Sequence, residues 1–417
     1  MTISDQAANS APTMPALIGL APLMRKAFAE EDMKPIAAGL LERAKNNPDD
    51  AHAYMDLATV LLLLGHRDTA LSTQMLALQT QALYQIPSNT TAKLKLLVLM
   101  TNGDLMANTP VEFLVENSDI DLELWYVGAG IPAIHELPEH DVLLVAIGEA
   151  DDKRDLLIDL QEILKNWHRP VLNLPIRIAE LGRDRACHLL QPAAQLEMPT
   201  AARVSRQQMQ ALADGHIVLS DLITDTDFPI IARPLGSHAG QGLRKVMSVD
   251  AVADYLQAVP VEEFYIARFV DYRSADGLFR KYRIMLIDGQ PFISHMGIST
   301  HWMIHYLNAG MTESAEKRVE EAHFMQNFET GFAQRHAQAF AEIHQRTGLD
   351  YVGIDCGETS DGKLLIFEVD SDMIVHAMDP IEMFPYKQEP MQKLFAAFRQ
   401  LLIATAATNG SASTPSA

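Results

Sequence analysis

The chain has 417 residues, a formal net charge of -21, 48% hydrophobic residues and 21% charged residues. The acidic balance excludes nucleic acid and anionic membranes as main partners, because both need basic patches, and the apolar content excludes wholesale disorder. A chain this long is expected to form two to four units with separate cores. Cys187 and Cys356, the only cysteines, are too few for a disulfide framework and fit a reducing cytoplasm. The opening residues lack the basic and apolar regions of a signal peptide, and no uninterrupted apolar run reaches membrane-spanning length, so no membrane span is expected.

Residues 1–13 are small and polar and are expected to be disordered. Residues 14–90 read as helical, with apolar positions three and four apart and turn signals at 46–50 and 65–68. Pro48 ends one helix, Asp49 or Asp50 caps the next, and Gly65 ends that one. The pattern Tyr54, Leu57, Ala58, Leu61, Gly65, Ala70, Ala77 resembles one tetratricopeptide-type helix pair. A single pair is too short for a free solenoid, so these helices are expected to dock on the rest of the chain. Packing, homodimerisation and capture of a peptide or protein partner stay open as their role.

Residues 91–198 alternate strand and helix, with strands at 94–100, 122–127 and 142–147 and a helix at 154–167, which predicts a small parallel α/β unit. The turn at 101–104 holds one glycine and is no dinucleotide loop. A short strand at 169–175 and a helix at 176–190 carrying Arg183, Asp184 and Arg185 follow. Met198, Pro199 and Thr200 look like a linker into an α+β unit of antiparallel strands at 199–406, and the tail 407–417 has no core-forming residues.

The chemistry lies in that last unit. A strand at 228–234 carries Arg233, and the loop after it holds Gly236, Ser237, Gly240 and Gly242, a composition that lets backbone N–H groups close over phosphate oxygens. After a helix at 250–258, the strand at 264–270, with Glu262 and Glu263 before it, can offer backbone groups to a purine edge. The strand at 279–287 alternates so that Lys281 and Arg283 share a face, useful against phosphate or a substrate carboxylate. Asp355 ends the apolar run 351–354, a turn follows at 360–363, and the strand from Leu364 delivers Glu368 and Asp370 onto one face. Three converging carboxylates call for a hard divalent cation, magnesium by default. Asp372 is either a fourth acid or a turn residue. In the interval 297–310, His301 and His305 share a face if the piece is helical, and substrate contact, general-base work, metal binding and a structural role all stay open. A charged helix at 313–321 and an amphipathic helix at 325–346, ending at Gly348, complete the pattern.

Residues 183–185, 229–242, 262–270, 280–287, 353–355 and 367–370, in this order and at these separations, resemble the ATP-grasp superfamily over roughly residues 92–400. Residues 171–173 are similar to the end of its pre-grasp domain, and His376 stands where the family often has a substrate loop. The resemblance implies a multidomain α/β and α+β fold: an N-terminal α-helical segment, a small parallel α/β pre-grasp domain and a two-lobed ATP-grasp domain closing on ATP. It implies magnesium at Asp355, Glu368 and Asp370, phosphate contacts from Arg185, Arg233, Lys281 and the loop Gly236, Ser237, Gly240 and Gly242, and an adenine hinge at Ala267–Val270 that includes Phe269. Glu263 or Asp271 would meet ribose or adenine, Arg283 and Asn308 would stand near phosphate or the acyl group, and His305 would serve the substrate. Arg185 and Arg233 replace the family's usual lysines, and Asp370 replaces its usual asparagine; arginine keeps the charge and adds a bidentate fork. The implied activity is ATP-dependent activation of a small-molecule or peptide carboxylate as an acylphosphate, followed by attack of an amine or other nucleophile. A phosphotransferase with the same grip, or a catalytically silent nucleotide-binding scaffold acting through the N-terminal helices, are the alternatives.

Overall fold

The computed structural model describes residues 15–237 and 240–410. The expectations for residues 1–13, for the middle of the glycine loop and for 411–417 lie outside the described residues. Four helices open the described chain: α1 (Leu20–Phe28), α2 (Lys34–Asn46), α3 (Ala51–Leu63) and α4 (Arg67–Thr80). The Asp50 side chain caps α3 by accepting from the Ala53 N–H at 2.9 Å, as its position after Pro48 predicts, and Gly65 leaves that helix at φ 81°. Leu23, Met33, Leu40, Leu57 and Val60 form a small core among these helices.

The helix α1 is held at its N-terminus by two acids. Asp56 of α3 accepts from the N–H groups of Ile18 at 2.9 Å and Gly19 at 3.0 Å, and Glu112 accepts from Ala21 at 2.9 Å. Carboxylates at this end satisfy otherwise free N–H groups and oppose the helix dipole. The helical segment therefore docks on the next unit rather than standing free.

Its helical pattern does not continue to residue 90. Leu83–Ile86 forms a strand, β1, because it finds an open edge: it pairs antiparallel with β3 (Ile120–Tyr126). The first sheet runs β1-β3-β2-β4-β5, with β2 (Leu94–Met100), β4 (Val142–Val145) and β5 (Val171–Leu172) parallel to β3. Its strands β2, over Leu96–Leu99, and β4 are buried on both faces, covered by elements that include α5 (Val111–Val115) and α6 (Arg154–Leu164), which is why they read as apolar runs. The helix expected at 176–190 is two, α7 (Pro175–Ile178) and α8 (Arg183–Leu190), divided at Gly182.

An antiparallel sheet and a mostly antiparallel one follow. The second, β7-β10-β8-β9, holds β7 (Ala201–Ser205), β8 (Ile230–Pro234), β9 (Arg244–Val246) and β10 (Glu263–Arg268), backed by α9 (Arg206–Ala213) and α10 (Asp250–Ala258). The third runs β12-β11-β13-β14-β6: β11 (Phe279–Ile287), β12 (Gln290–Ser299), β13 (Tyr351–Glu358), β14 (Leu364–Asp370) and the short β6 (Leu196–Glu197), just before the expected linker and parallel to β14. The β11–β12 turn is Asp288-Gly289, both at positive φ (49° and 72°), the pairing that joins twisted strands tightly. The long amphipathic helix expected at 325–346 is interrupted: α11 (Ala315–Gln326), a wide turn at 329–333, then α12 (Ala337–Thr347) ending at Gly348 with φ 62°.

The final helix, α13 (Gln388–Gly410), runs into the stretch expected to be a disordered tail. Its Leu394, Phe398 and Leu402 are buried in one core with Leu96 and Val142 of the first sheet and Met285 and Tyr351 of the third. This apolar stripe holds the two sheets together. Among the described residues no helix is long and apolar enough to cross a membrane. Phe398→Ala removes a ring 5.2 Å from that of Tyr351 at this junction and is expected to lower unfolding free energy by about 3–5 kcal/mol in urea titrations; a loss below about 1 kcal/mol would contradict this account of α13.

Candidate active site

A cleft of about 780 Å³ opens between the second and third sheets. At one end Ala267, Phe269 and Val270 line it where β10 finishes, and Trp302 stands edge-on to Phe269 at 5.8 Å. The Lys245 ammonium lies 3.5 Å from the Phe269 ring centre. This end is lined by apolar and aromatic side chains, while the Arg268 and Phe269 N–H groups are already bonded to the Thr200 and Pro229 carbonyls.

The middle of the cleft is crowded with cations. Arg233 leaves β8 half-buried and donates to the Ser237 carbonyl and, at 3.3 Å, to its hydroxyl, which draws the glycine loop back over the strand. Among the described residues no carboxylate stands in ion-pair range of Arg233. Burial, and then the charge of nearby Arg183, pull its pKa down to about 10. Gly236 and Gly240 line the cleft; Gly242 does not, and instead makes the turn into β9, where a Cβ would come within 2.7 Å of Pro234.

Arg185 does not reach the cleft. Its guanidinium pairs with Glu149 at 2.5 Å and donates to the Ala179 carbonyl at 2.9 Å. Residues two apart on a helix point about 200° apart, so α8 turns Arg183 inward instead, where it pairs with Glu368 and donates to the Phe367 carbonyl at 3.3 Å. Of the two, Arg183 lines the cleft. Glu263 is also misplaced: it sits exposed at the start of β10, paired with Arg203 at 2.7 Å, and Asp271 is exposed with Arg273 at 3.4 Å.

Lys281 and Arg283 do share a face of β11, and register places Asp355 of β13 opposite Arg283. Lys281 reaches Asp355 at 2.6 Å, and Arg283 grips both its oxygens at 2.8 and 3.0 Å. Asp355 is only 1% exposed. Burial alone would raise its pKa, but Arg283 and Lys281 overcome that and hold the carboxyl well below its usual range. Both oxygens are committed to cations, so Asp355 as placed is no open metal ligand.

The other acids differ. Glu368 and Asp370 line the cleft, and Asp372, 2% exposed, lies behind them with Oδ1 lacking any partner. Burial raises the pKa of both Asp370 and Asp372, aided by the charge of Glu368 on Asp370 and of Asp370 on Asp372, while hydrogen bonds from Asp372 partly offset the rise at Asp370. Among the described residues no three histidine, cysteine or carboxylate groups stand together as a ready metal cage. Magnesium needs less: it keeps several waters and is commonly held by one or two carboxylates plus substrate phosphates. Glu368 and Asp370 fit that requirement, and the orphaned oxygen of Asp372 marks the spot as short of positive charge.

Beyond the cations the wall turns to imidazoles. The segment holding His301 and His305 is not helical: His301 is exposed outside the cleft, while His305 and Asn308 line it, with Asn308 Oδ1 accepting from the His305 N–H at 3.0 Å. His295, which sequence reasoning missed, sits opposite Arg283 in the β11–β12 register, its ring 4.3 Å from Tyr306. The Asp288-Gly289 hairpin alone would set Ser294 there; an irregularity between Arg283 and Ile284 shifts the register by one and brings His295 opposite instead. Burial first, then neighbouring cations, lower the pKa of His295 and His305, and burial takes His376 to about 4. Neutral rings at pH 7 can accept a proton.

No protein-family model and no curated protein matches the chain. Among solved structures it is similar to D-alanyl-alanine synthetase A from Vibrio cholerae, at 14% identity over 76% of this chain and 100% of that one, TM-score 0.46. It is similar to the D-alanine-D-alanine ligase from Coxiella burnetii at 11% identity, 76% and 98% covered, TM-score 0.46. It is also similar to VanG D-Ala:D-Ser ligase from Enterococcus faecalis at 14% identity, 75% and 99% covered, TM-score 0.44.

The Asp355 triad has a pH signature. A folded pKa below the unfolded value of about 4 gives stability that is complete above that pH and is lost as pH falls towards the folded pKa. Asp355→Asn strands two half-buried cations and is expected to cost about 3 kcal/mol near pH 7. The gap from wild type should shrink below about pH 4 in denaturant titrations. A gap independent of pH would show that the carboxylate charge is not what matters.

Proposed function

We propose that the chain is an ATP- and magnesium-dependent ligase of the ATP-grasp type, working in the cytoplasm, that activates a carboxylate as an acylphosphate for attack by an amine or another nucleophile. The observation that carries this reading is Arg233: a half-buried guanidinium without a carboxylate, beside Arg183 and beneath a glycine loop. A cation in such a place costs free energy until an anion arrives. The apolar slot at Ala267–Val270 supports a nucleobase at one end, which leaves the triphosphate to run past Arg233 and Arg183.

In the proposed reaction an oxygen of the substrate carboxylate attacks the γ-phosphorus, the bond to the β-phosphate oxygen breaks and ADP leaves. The nucleophile then attacks the acyl carbon, phosphate departs, and the proton passes to a base, for which neutral His305 stands at the cleft. Arg183, Arg233 and Lys281 hold the phosphates by charge; Arg283 keeps the acyl end positive beside Asp355. Magnesium held by Glu368 and Asp370 would neutralise charge on the phosphate oxygens.

Arg233→Met separates this reading from a structural one. Binding of ATP, followed by calorimetry, is expected to weaken about 10- to 100-fold, the worth of a charge-assisted hydrogen bond. Without nucleotide the same variant should melt at or above the wild-type temperature, since it removes a charge that lacks a partner. Unchanged ATP affinity, or a melting temperature several degrees lower, would count against the assignment.

A further inference from the structure

The end of the cleft beyond the imidazoles is closed by the N-terminal helical segment. Met24 and Phe28 lie four apart on α1, so they share one side of the helix, and both line the cleft with Met106 and Ile374. The Phe28 ring meets the His376 ring at 5.3 Å. Ala21 and Leu23 of the same helix are buried, and Asp56 and Glu112 clamp its N-terminus, so Met24 and Phe28 are presented from a fixed support.

The acids at this end are paired apart from Asp370 and Asp372, which belong to the proposed metal position. Asp379 is paired with Lys387 at 3.0 Å and Glu149 with Arg185 at 2.5 Å. The exposed lining is thioether, aromatic and aliphatic, a surface that rewards burial of an apolar group and offers nothing to a second charge. Next to it, Arg283 donates to the Ile374 carbonyl at 3.2 Å while sharing Asp355 with Lys281, which leaves one net positive charge between the two cations and one acid. An anionic head beside Arg283 and an apolar body against α1 therefore fit side by side.

We propose that the carboxylate substrate of this chain carries an apolar side group, aromatic or branched aliphatic, and that Met24 and Phe28 of α1 are specificity-determining residues that touch it. The proposal rests on the ligase reading and assigns the N-terminal segment a part in choosing the substrate. A ligand here is recognised by its shape and hydrophobicity at one end and by its charge at the other.

The test is calorimetric binding to the full chain, with magnesium and a non-hydrolysable ATP analogue at saturation, of N-acetyl-phenylalanine, N-acetyl-leucine, N-acetyl-aspartate and Nα-acetyl-lysine. The first two are expected to bind at least tenfold more tightly than the last two. Phe28→Ala should weaken N-acetyl-phenylalanine about tenfold and leave the affinity for the ATP analogue unchanged. Phe28→Leu, which keeps an apolar contact and so guards against loss of α1 docking, should weaken it less. Charged and apolar acids binding alike, no binding of any acid by a chain that binds the analogue, or an unchanged affinity in Phe28→Ala would each overturn the proposal alone. Failure of the unmodified chain to bind the analogue would overturn the ligase reading and the proposal with it.

Discussion

Charge in a half-dry cleft has to be answered, and the answers present here organise the site. Asp355 holds Lys281 and Arg283, Glu368 holds Arg183, and Glu149 holds Arg185. Among the described residues two groups stand out: Arg233, which has hydrogen bonds to Ser237 but no acid, and the Asp370–Asp372 pair, which has an unpartnered oxygen. A polyanion carrying a divalent cation would complete both at once. The bare cleft is thus arranged for a ligand of mixed charge, and the sheets on either side supply the rigid strands that keep the unmatched groups in place.

Strand periodicity made much of this readable from residues alone. Lys281 and Arg283 share a face because strand side chains alternate, and Glu368 and Asp370 do so for the same reason. What the pattern could not convey was pairing across strands. Asp355 reads as a free ligand until β11 is laid beside β13, when two cations close on it. The sequence does not separate Arg185 from Arg183 for a comparable reason: both stand on α8, and only the packing of that helix, with Arg185 on Glu149, decides which one turns inward.

Boundaries were harder where an element owes its existence to a neighbour. The strand β1 follows a helical stretch without a break in polarity and forms because β3 offers an edge. The helix α13 passes through a weakly apolar C-terminal stretch because Leu394, Phe398 and Leu402 have two sheets to cover. His295 is not legible from the Asp288-Gly289 hairpin, because a register shift between Arg283 and Ile284 brings it, rather than Ser294, opposite Arg283. Nor is the role of α1, because its contact with His376 joins residues that lie far apart in the chain.

The most direct measurement of the central claim is a crystal structure of the full chain with a non-hydrolysable ATP analogue and magnesium. The account predicts the base against Phe269, the triphosphate within hydrogen-bond distance of Arg233 and Arg183, and the metal on Glu368 and Asp370, with Asp355 still bound to Lys281 and Arg283. A nucleotide seated elsewhere, or Arg233 left on Ser237 with no phosphate beside it, would contradict the account.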